Sequence, residues 1–271
     1  MRTEHEVSEA SIRRYLKHTE LKLMVRRSLT STNTVLKTMA TENAPGNLAL
    51  IAEEQTAGRG RLGRSFHSPV GCGLYMSLLL RPEMKAEETT GLTACAAVAV
   101  AEAIEEITGR SAGIKWVNDV LMDGKKVCGI LTEAGVDSAS RRMSHVIIGI
   151  GINTRTPPGG FPEEIREIAG ALYGENDEAP DDLRNRLAAA VLNRLLDAAE
   201  DPMAENVFEA YRSRSIIPGK AIRILSPGQE PKEALAEALE RDYALRVRYP
   251  DGNVGFLRSG EVSIRLGGAP A

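Results

Sequence analysis

The sequence predicts an α/β body followed by a small all-β tail, and three observations carry that division. Short apolar runs bounded by Pro, Gly and Asn alternate with longer helical patterns through most of the chain. One Ala-rich stretch, 87–108, is long enough for a buried helix and stops at Gly109. Beyond about residue 215 the pattern becomes alternating strands, with the turn Pro250-Asp251-Gly252-Asn253 and no clear helix. The expected bounds are 1–215 for the body, with 1–21 as a short N-terminal extension, and 216–271 for the tail.

The elements follow in order. Residues 8–18 carry a capping box and fit one short helix. Residues 22–27 read as a strand, and 31–41 as a helix capped by Ser or Thr. Two strands, 47–53 and 74–80, flank a long Gly-rich loop. Ile114–Val117 and Val120–Met122 precede Asp123-Gly124, a hairpin turn, and Lys125–Glu133 returns as a strand. Residues 145–152 form a further buried strand, and Pro157-Pro158-Gly159-Gly160 breaks the chain. Leu183, Leu187, Val191 and Leu195 recur every four residues and predict an amphipathic helix over 181–200.

Composition narrows the function. Of 271 residues, 42% are hydrophobic and 26% charged, and the formal net charge is −3. That balance argues against bulk nucleic-acid or membrane-surface binding. No apolar run reaches membrane-span length, and the N-terminus lacks a signal-peptide core. Cys72, Cys95 and Cys128 are scattered and lack metal-ligand spacing, which predicts a reduced, cytoplasmic protein without structural zinc.

The most informative segment is Gly-Arg-Gly-Arg-Leu-Gly-Arg at 58–64. Its glycines have GxGxxG spacing, but a dinucleotide fingerprint needs a helix directly after them. Here Pro69, Gly71 and Gly73 follow, so the loop joins strand to strand. Arginine stays charged and grips phosphate or carboxylate with a planar fork. A loop carrying Arg59, Arg61 and Arg64 therefore suits a lid over an anionic, phosphate-bearing intermediate. In this reading the three cations lack a compensating anion, and the loop stays mobile, until that intermediate forms.

Further segments fall in order around this loop: Ser31-Thr32-Asn33, Gln55, Lys115-Trp116-Val117-Asn118-Asp119 with Lys126-Val127-Cys128-Gly129-Ile130-Leu131, Ile148 to Asn153, and Ser259 to Arg265. Together they resemble biotin protein ligase, the biotin–acetyl-CoA-carboxylase ligase family, over about residues 22–266. The resemblance implies a catalytic domain related to class II aminoacyl-tRNA synthetases, with a mixed sheet and helices, and a C-terminal SH3-like β-barrel. It implies ATP and biotin as substrates with Mg2+, formation of biotinyl-5′-AMP with release of pyrophosphate, and transfer to a lysine of a biotin carboxyl carrier protein of acetyl-CoA carboxylase or a related carboxylase. It admits a homodimer. Some members carry an N-terminal helix-turn-helix repressor domain; the 21 residues ahead of the body are too few for one, so no operator binding is expected.

The resemblance also assigns roles. Arg61, Lys126 and Asp119 are the expected catalytic set. Arg59, Gly60 and Arg61 would close over biotin and the phosphate, and Lys126 would bridge carboxylate and phosphate. Asp119 would handle Mg2+ or the acceptor lysine, with no choice made between them; by itself it reads as a turn-capping residue. Ser31, Thr32, Asn33 and Gln55 offer donors and acceptors to a neutral ureido ring. Trp116 and Gly129, with Gly149 and Gly151, would line an apolar slot, although Trp116 is equally an ordinary core residue. The ATP side would take Arg59, Arg61, Arg64, Phe66, Lys115, Asn118, Asn153 and Arg265, while the metal ligands stay unassigned.

Two positions depart from the family pattern. Phe66 stands where many members have Trp, expected over adenine, and Val117 stands where they have Pro. Two other classes compete: a lipoate–protein ligase with parallel acyl-adenylate chemistry, and a non-catalytic biotin-binding or regulatory module. The Arg loop and the Lys-Trp-Val-Asn-Asp segment favour biotin, and the set of Arg61, Lys126 and Asp119 favours catalysis.

Overall fold

The computed structural model describes residues 6–84, 89–136, 143–226 and 228–258, and the backbone alone of 263–266. Its centre is a seven-stranded mixed sheet. β1 (Lys22–Leu29) lies parallel to β2 (Leu48–Gln55), and the crossover between them carries α2 (Thr32–Thr41). β3 (Gly73–Leu80) is antiparallel to β2, and a hairpin series of β4 (Gly113–Lys115), β5 (Asp119–Met122) and β6 (Lys125–Val136) follows. β7 (Met143–Asn153) then inserts between β6 and β3, giving the order β1-β2-β3-β7-β6-β5-β4. The turn joining β5 to β6 has Asp123 and Gly124 both at positive φ, 51° and 77°, as an Asp-Gly hairpin turn requires.

The two faces of this sheet differ. One packs on α3 (Thr89–Thr108) and α4 (Leu183–Ala199) and holds the main core. Leu183, Leu187, Val191 and Leu195 are all buried there, as their spacing predicts. On the other face a smaller cluster of Leu36, Ala40, Leu48, Leu50, Leu79 and Ile147 seats α2. Strand alternation sends Leu48 and Leu50 to α2 and Ala49 and Ile51 to the main core.

Two local departures from the sequence reading have visible causes. α1 (Glu9–Arg13) starts at the expected cap, where the Ser8 hydroxyl accepts from the Ser11 amide at 3.2 Å, but ends before residue 18. The chain leaves the helix because Asn193 of α4 captures it: its side chain accepts from the Lys17 amide at 2.8 Å and donates to the Tyr15 carbonyl at 3.0 Å. α5 (Glu205–Arg214) was not anticipated; its buried face is only Val207, Phe208 and Tyr211.

The C-terminal sheet is antiparallel, in the order β11-β10-β9-β8-β12. Its strands are β8 (Ala221–Leu225), β9 (Lys232–Leu239), β10 (Leu245–Arg248), β11 (Val254–Leu257) and β12 (Ser263–Leu266). Tyr243, between β9 and β10, ties it to the rest. Its ring meets Phe208 and Tyr211 edge-on at 5.7 and 5.5 Å, and its hydroxyl donates to the Pro202 carbonyl at 2.9 Å. Among the described residues no helix is long and apolar enough to cross a membrane.

Candidate active site

Register builds the site on the α2 side of the sheet. Gly129 of β6 pairs with Gly151 of β7, which pairs with Tyr75 of β3. One step along, Leu131 pairs with Gly149, which pairs with Ser77. Because strand residues alternate faces, Gly129, Leu131 and Glu133 point the same way. The glycines leave that face low, and something close fills the space. A Cβ on Gly149 would lie 2.1 Å from Asn33 Oδ1, and one on Gly151 would lie 2.6 Å from the Phe66 ring. Glycine is needed at both for close approach rather than for backbone freedom.

One cleft is lined by Ser31, Thr32, Asn33, Gln55, Arg59, Gly60, Arg61, Phe66, Asn118, Lys126, Gly129, Gly149 and Gly151. Its remaining lining was not singled out from sequence: Leu131 faces the cleft, whereas Met76, Ile130 and Ile150 send their side chains to the main core and border the cleft with backbone. The two ends differ in chemistry.

At the neutral end, α2 opens with Ser31, Thr32 and Asn33, each no more than 3% exposed. Ser31 takes the N-cap position without a side-chain capping bond. Gln55 Oε1 accepts from the Thr32 amide at 2.9 Å and from the Thr32 hydroxyl at 3.1 Å. Gln55 Nε2 donates to Ser68 Oγ at 3.0 Å. Asn33 Nδ2 donates to the Leu131 carbonyl at 3.2 Å and to Glu133 Oε2 at 2.9 Å, which fixes its amide orientation. Ser77 Oγ lies 2.6 Å from both Asn33 Oδ1 and Thr32 Oγ1. Asn33 Oδ1 can only accept, so the single Ser77 proton goes there. The one Thr32 hydroxyl proton is shared between Ser77 Oγ and Gln55 Oε1, which the Thr32 amide also supplies.

At the cationic end, Lys126 Nζ pairs with Asp119 Oδ1 at 2.7 Å. Asn118 donates to the same Oδ1 at 3.1 Å and to the Ile130 carbonyl at 3.0 Å, while its own Oδ1 accepts from Arg61 Nη1 at 2.8 Å. Burial pushes the Arg61 guanidinium below its ordinary value, with Asp119 acting in the opposite sense and Arg64 adding to the lowering. Asp119 stands behind Lys126, outside the cleft lining. A neighbouring depression shares Arg61, Asn118, Ile130 and Leu131 and adds Leu62, Thr89, Thr93, Val117, Thr132 and Ala134.

The Arg loop is a small folded unit. Gly60 N donates to the Arg64 carbonyl at 2.7 Å and Phe66 N to the Gly58 carbonyl at 2.9 Å, around a single 3-10 turn at Arg61–Gly63. Leu62 at its tip is 42% exposed and has φ 56°, a conformation costing a non-glycine residue about 1–2 kcal/mol. The expectation that the loop's cations lack an anion fails at Arg59, whose Nη1 meets Glu133 Oε2 at 3.1 Å. The carboxylate comes from β6, two strand steps beyond Gly129, and alternation places it on the cleft side.

The structure does not bring every expected residue into the cleft. Trp116 is 3% exposed and donates its indole N–H to the Tyr243 carbonyl at 2.9 Å, so it joins the body to the C-terminal sheet instead of lining a slot. A large indole between two packed sheets satisfies both its apolar area and its donor there. Lys115 ends β4 opposite Asp119, outside the cleft lining. Arg64 is exposed on the far strand of the loop. Asn153 ends β7, where its side chain donates to the Gly170 carbonyl at 2.9 Å. Phe66 lies against Gly129 and Gly151 in the cleft, 6.4 Å from the Tyr75 ring. The side chain of Arg265 lies outside the described residues. Glu133, Ser77 and Ser68 were missed; the signal for Glu133 was strand alternation from Gly129, whereas Ser77 joins the site through its cross-strand pairing with Gly149, which no local pattern shows.

Known proteins match this arrangement. The model of the biotin/lipoate A/B protein ligase family matches residues 25–153. The biotin–acetyl-CoA-carboxylase ligase of Paracoccus denitrificans is 32% identical over 212 residues, covering 76% of this chain and 86% of that protein. The bifunctional ligase/repressor BirA of Bacillus subtilis is 47% identical over 144 residues, which span 53% of this chain and 44% of that protein. The biotin protein ligase of Aquifex aeolicus in complex with biotin and ATP is similar in structure, with TM-score 0.74, 29% identity, and coverage of 91% of this chain and 99% of that one. The chain belongs to the biotin/lipoate A/B protein ligase family. It has the biotin protein ligase fold, and its small C-terminal antiparallel sheet is consistent with an SH3-like domain.

Proposed function

We propose that this protein is an ATP-dependent biotin–protein ligase. The observation that carries the reading is one cleft with two chemistries: a buried array of neutral donors and acceptors at Ser31–Asn33 and Gln55, and a cationic end at Arg61 and Lys126. Biotin has the matching form, a neutral ureido ring joined by an apolar chain to a carboxylate. The apolar surface between the ends, Leu131 and Phe66 with the low face at Gly129, Gly149 and Gly151, suits the chain.

In the first step a biotin carboxylate oxygen attacks the α-phosphorus of ATP, and the bond to the pyrophosphate leaving group breaks. Two anions must approach, and charge on the α-phosphate grows in the transition state. Arg61 and Lys126, already positioned and partly desolvated, counter that charge without reorganisation. In the second step the amine of an acceptor lysine attacks the acyl carbon, AMP leaves, and the amine loses a proton. Asp119 is the carboxylate beside the reacting end, with Lys126 and Asn118 holding its Oδ1.

Among the described residues no group of three or more His, Cys, Asp and Glu side chains converges to hold a metal. Mg2+ would enter with the triphosphate of ATP, and Asp119, behind Lys126, is the nearby carboxylate that would be available to it. When bound it adds further neutralisation of the triphosphate.

The test is mass spectrometry of a purified biotin carrier domain incubated with this protein and MgATP, in parallel with biotin and with lipoate. A biotinyl mass gain on one lysine supports the reading. A lipoyl gain in its place would transfer the assignment to lipoate, and no gain with either, despite a folded protein, would overturn ligation.

A further inference from the structure

The polar groups at the neutral end form one connected chain, and both ends of that chain rest on the Arg loop. Ser68 Oγ donates to the Phe66 carbonyl at 3.0 Å, at the end of the loop. From Ser68 the chain runs through Gln55, Thr32 and Ser77 to Asn33. It then passes from Asn33 to Glu133, and Glu133 Oε2 holds Arg59 at the start of the loop. Two of the loop's three arginines thus point to opposite ends of the cleft: Arg59 to Glu133 and Asn33, Arg61 to Asn118 beside Asp119 and Lys126.

We infer that Glu133 is a positioning residue that latches Arg59 at the Asn33 end, so that Arg59 fixes the loop over the neutral half of the ligand and Arg61 alone of the two serves the phosphate. This rests on the ligase reading for its substrates, but the latch itself is a property of the ligand-free protein. Glu133 suits the task because one carboxylate oxygen accepts from both Asn33 and Arg59. Its side chain is 19% exposed although that of Arg59 is 44% exposed, so the hold comes from the shared oxygen and its fixed Asn33 partner more than from burial of the charges. The ion pair ties the loop to the same amide that faces the cleft. A ligand seated on Asn33 and Thr32 therefore meets a loop already held in register with them.

The test is a double-mutant cycle on Glu133→Gln and Arg59→Gln, read in two ways. Glutamine keeps an acceptor for Asn33 while removing the charge that holds Arg59. In the ligand-free protein, hydrogen exchange at the Gly60 and Phe66 amides, which close the loop, should rise about tenfold in each single variant and no further in the double. In steady-state pyrophosphate release, KM for biotin should rise about tenfold in each, again without addition, while kcat and KM for ATP stay within about twofold. Unchanged exchange in Glu133→Gln would overturn the latch. So would additive effects in the double variant. A rise in KM for ATP instead of biotin in Arg59→Gln would make Arg59 a phosphate ligand and overturn the division of labour. If the wild-type protein releases no pyrophosphate, the ligase reading fails, and the exchange measurement still decides the latch.

Discussion

The neutral end of the cleft is built into the scaffold, whereas the cationic end is assembled from a loop and a hairpin. Ser31, Thr32, Asn33 and Ser77 are buried, and the last three join one hydrogen-bond array. Arg61 and Lys126 instead sit partly exposed, each engaged with Asn118 or Asp119. A rigid neutral end can read shape and hydrogen bonding at small entropic cost. A cationic end held by protein partners can exchange them for a ligand anion, and the burial that lowers Arg61 favours that exchange. Under the proposed function, the neutral end should govern capture and the cationic end chemistry and retention.

The largest expected break is at the cationic end. Lys126→Ala should lower adenylate formation by about a hundredfold or more, the scale of losing a preorganised electrostatic group, with KM for biotin changed far less. Pyrophosphate release measured against biotin concentration checks this. Near-normal kcat in a folded variant would remove Lys126 from the chemistry.

The opposite signature is expected at Gly149. A Cβ there comes 2.1 Å from Asn33 Oδ1, and a side chain held by Ser77, Leu131 and Glu133 has little room to give. Gly149→Ala should raise the biotin dissociation constant by roughly tenfold or more, as expected when a fixed polar contact is displaced. Titration calorimetry with biotin alone checks it; unchanged affinity would mean that Asn33 does not face the ligand.

How much of this contrast was legible in the sequence depends on whether the signal was local. The Asp123-Gly124 turn, the period-four leucines of α4 and the glycine–arginine loop each declare themselves within a few residues. Most of the residues singled out for biotin do line the cleft, because they sit in short motifs. Trp116 was ambiguous for a physical reason: a buried indole serves a core and a slot equally well, and its partner Tyr243 is 127 positions away. Glu133 was readable from strand alternation, but its pairing with Arg59 spans 74 positions and depends on how the loop folds back. Long-range polar pairing leaves no periodic trace, so the sequence displayed the charges of the loop without showing where each one goes.

Retention should separate the ends next. Arg61→Gly removes the loop cation directed at the reacting end and leaves the Arg59–Glu133 pair in place. The off-rate of biotinyl-AMP should rise about tenfold, the worth of a charge-assisted contact, with biotin capture nearly unchanged. Labelling of an unrelated protein by escaped anhydride should rise in parallel, because the reactive species is no longer shielded. Equal off-rates and equal stray labelling in wild type and variant would mean that Arg61 does not close over the intermediate.

The smallest expected effect tests whether the neutral end is rigid because its hydrogen bonds are complete. Ser77 is 1% exposed, and its hydroxyl donates to Asn33 Oδ1 within the array. Ser77→Ala removes that donor without adding bulk. Thr32 keeps Gln55 as a partner, and Asn33 keeps its two donor contacts, so the array loosens at one point rather than collapsing. Leaving one buried acceptor short of a donor should cost about 1 kcal/mol in stability, measured by denaturant unfolding. KM for biotin should rise by about threefold to fivefold, because Asn33 is held less firmly, and kcat should stay within about twofold. A Ser77→Ala variant that loses stability but keeps its biotin KM would show that the array supports the fold alone. A fall in kcat with KM unchanged would mean that the two ends are coupled through the transition state, and the division between capture and chemistry would fail.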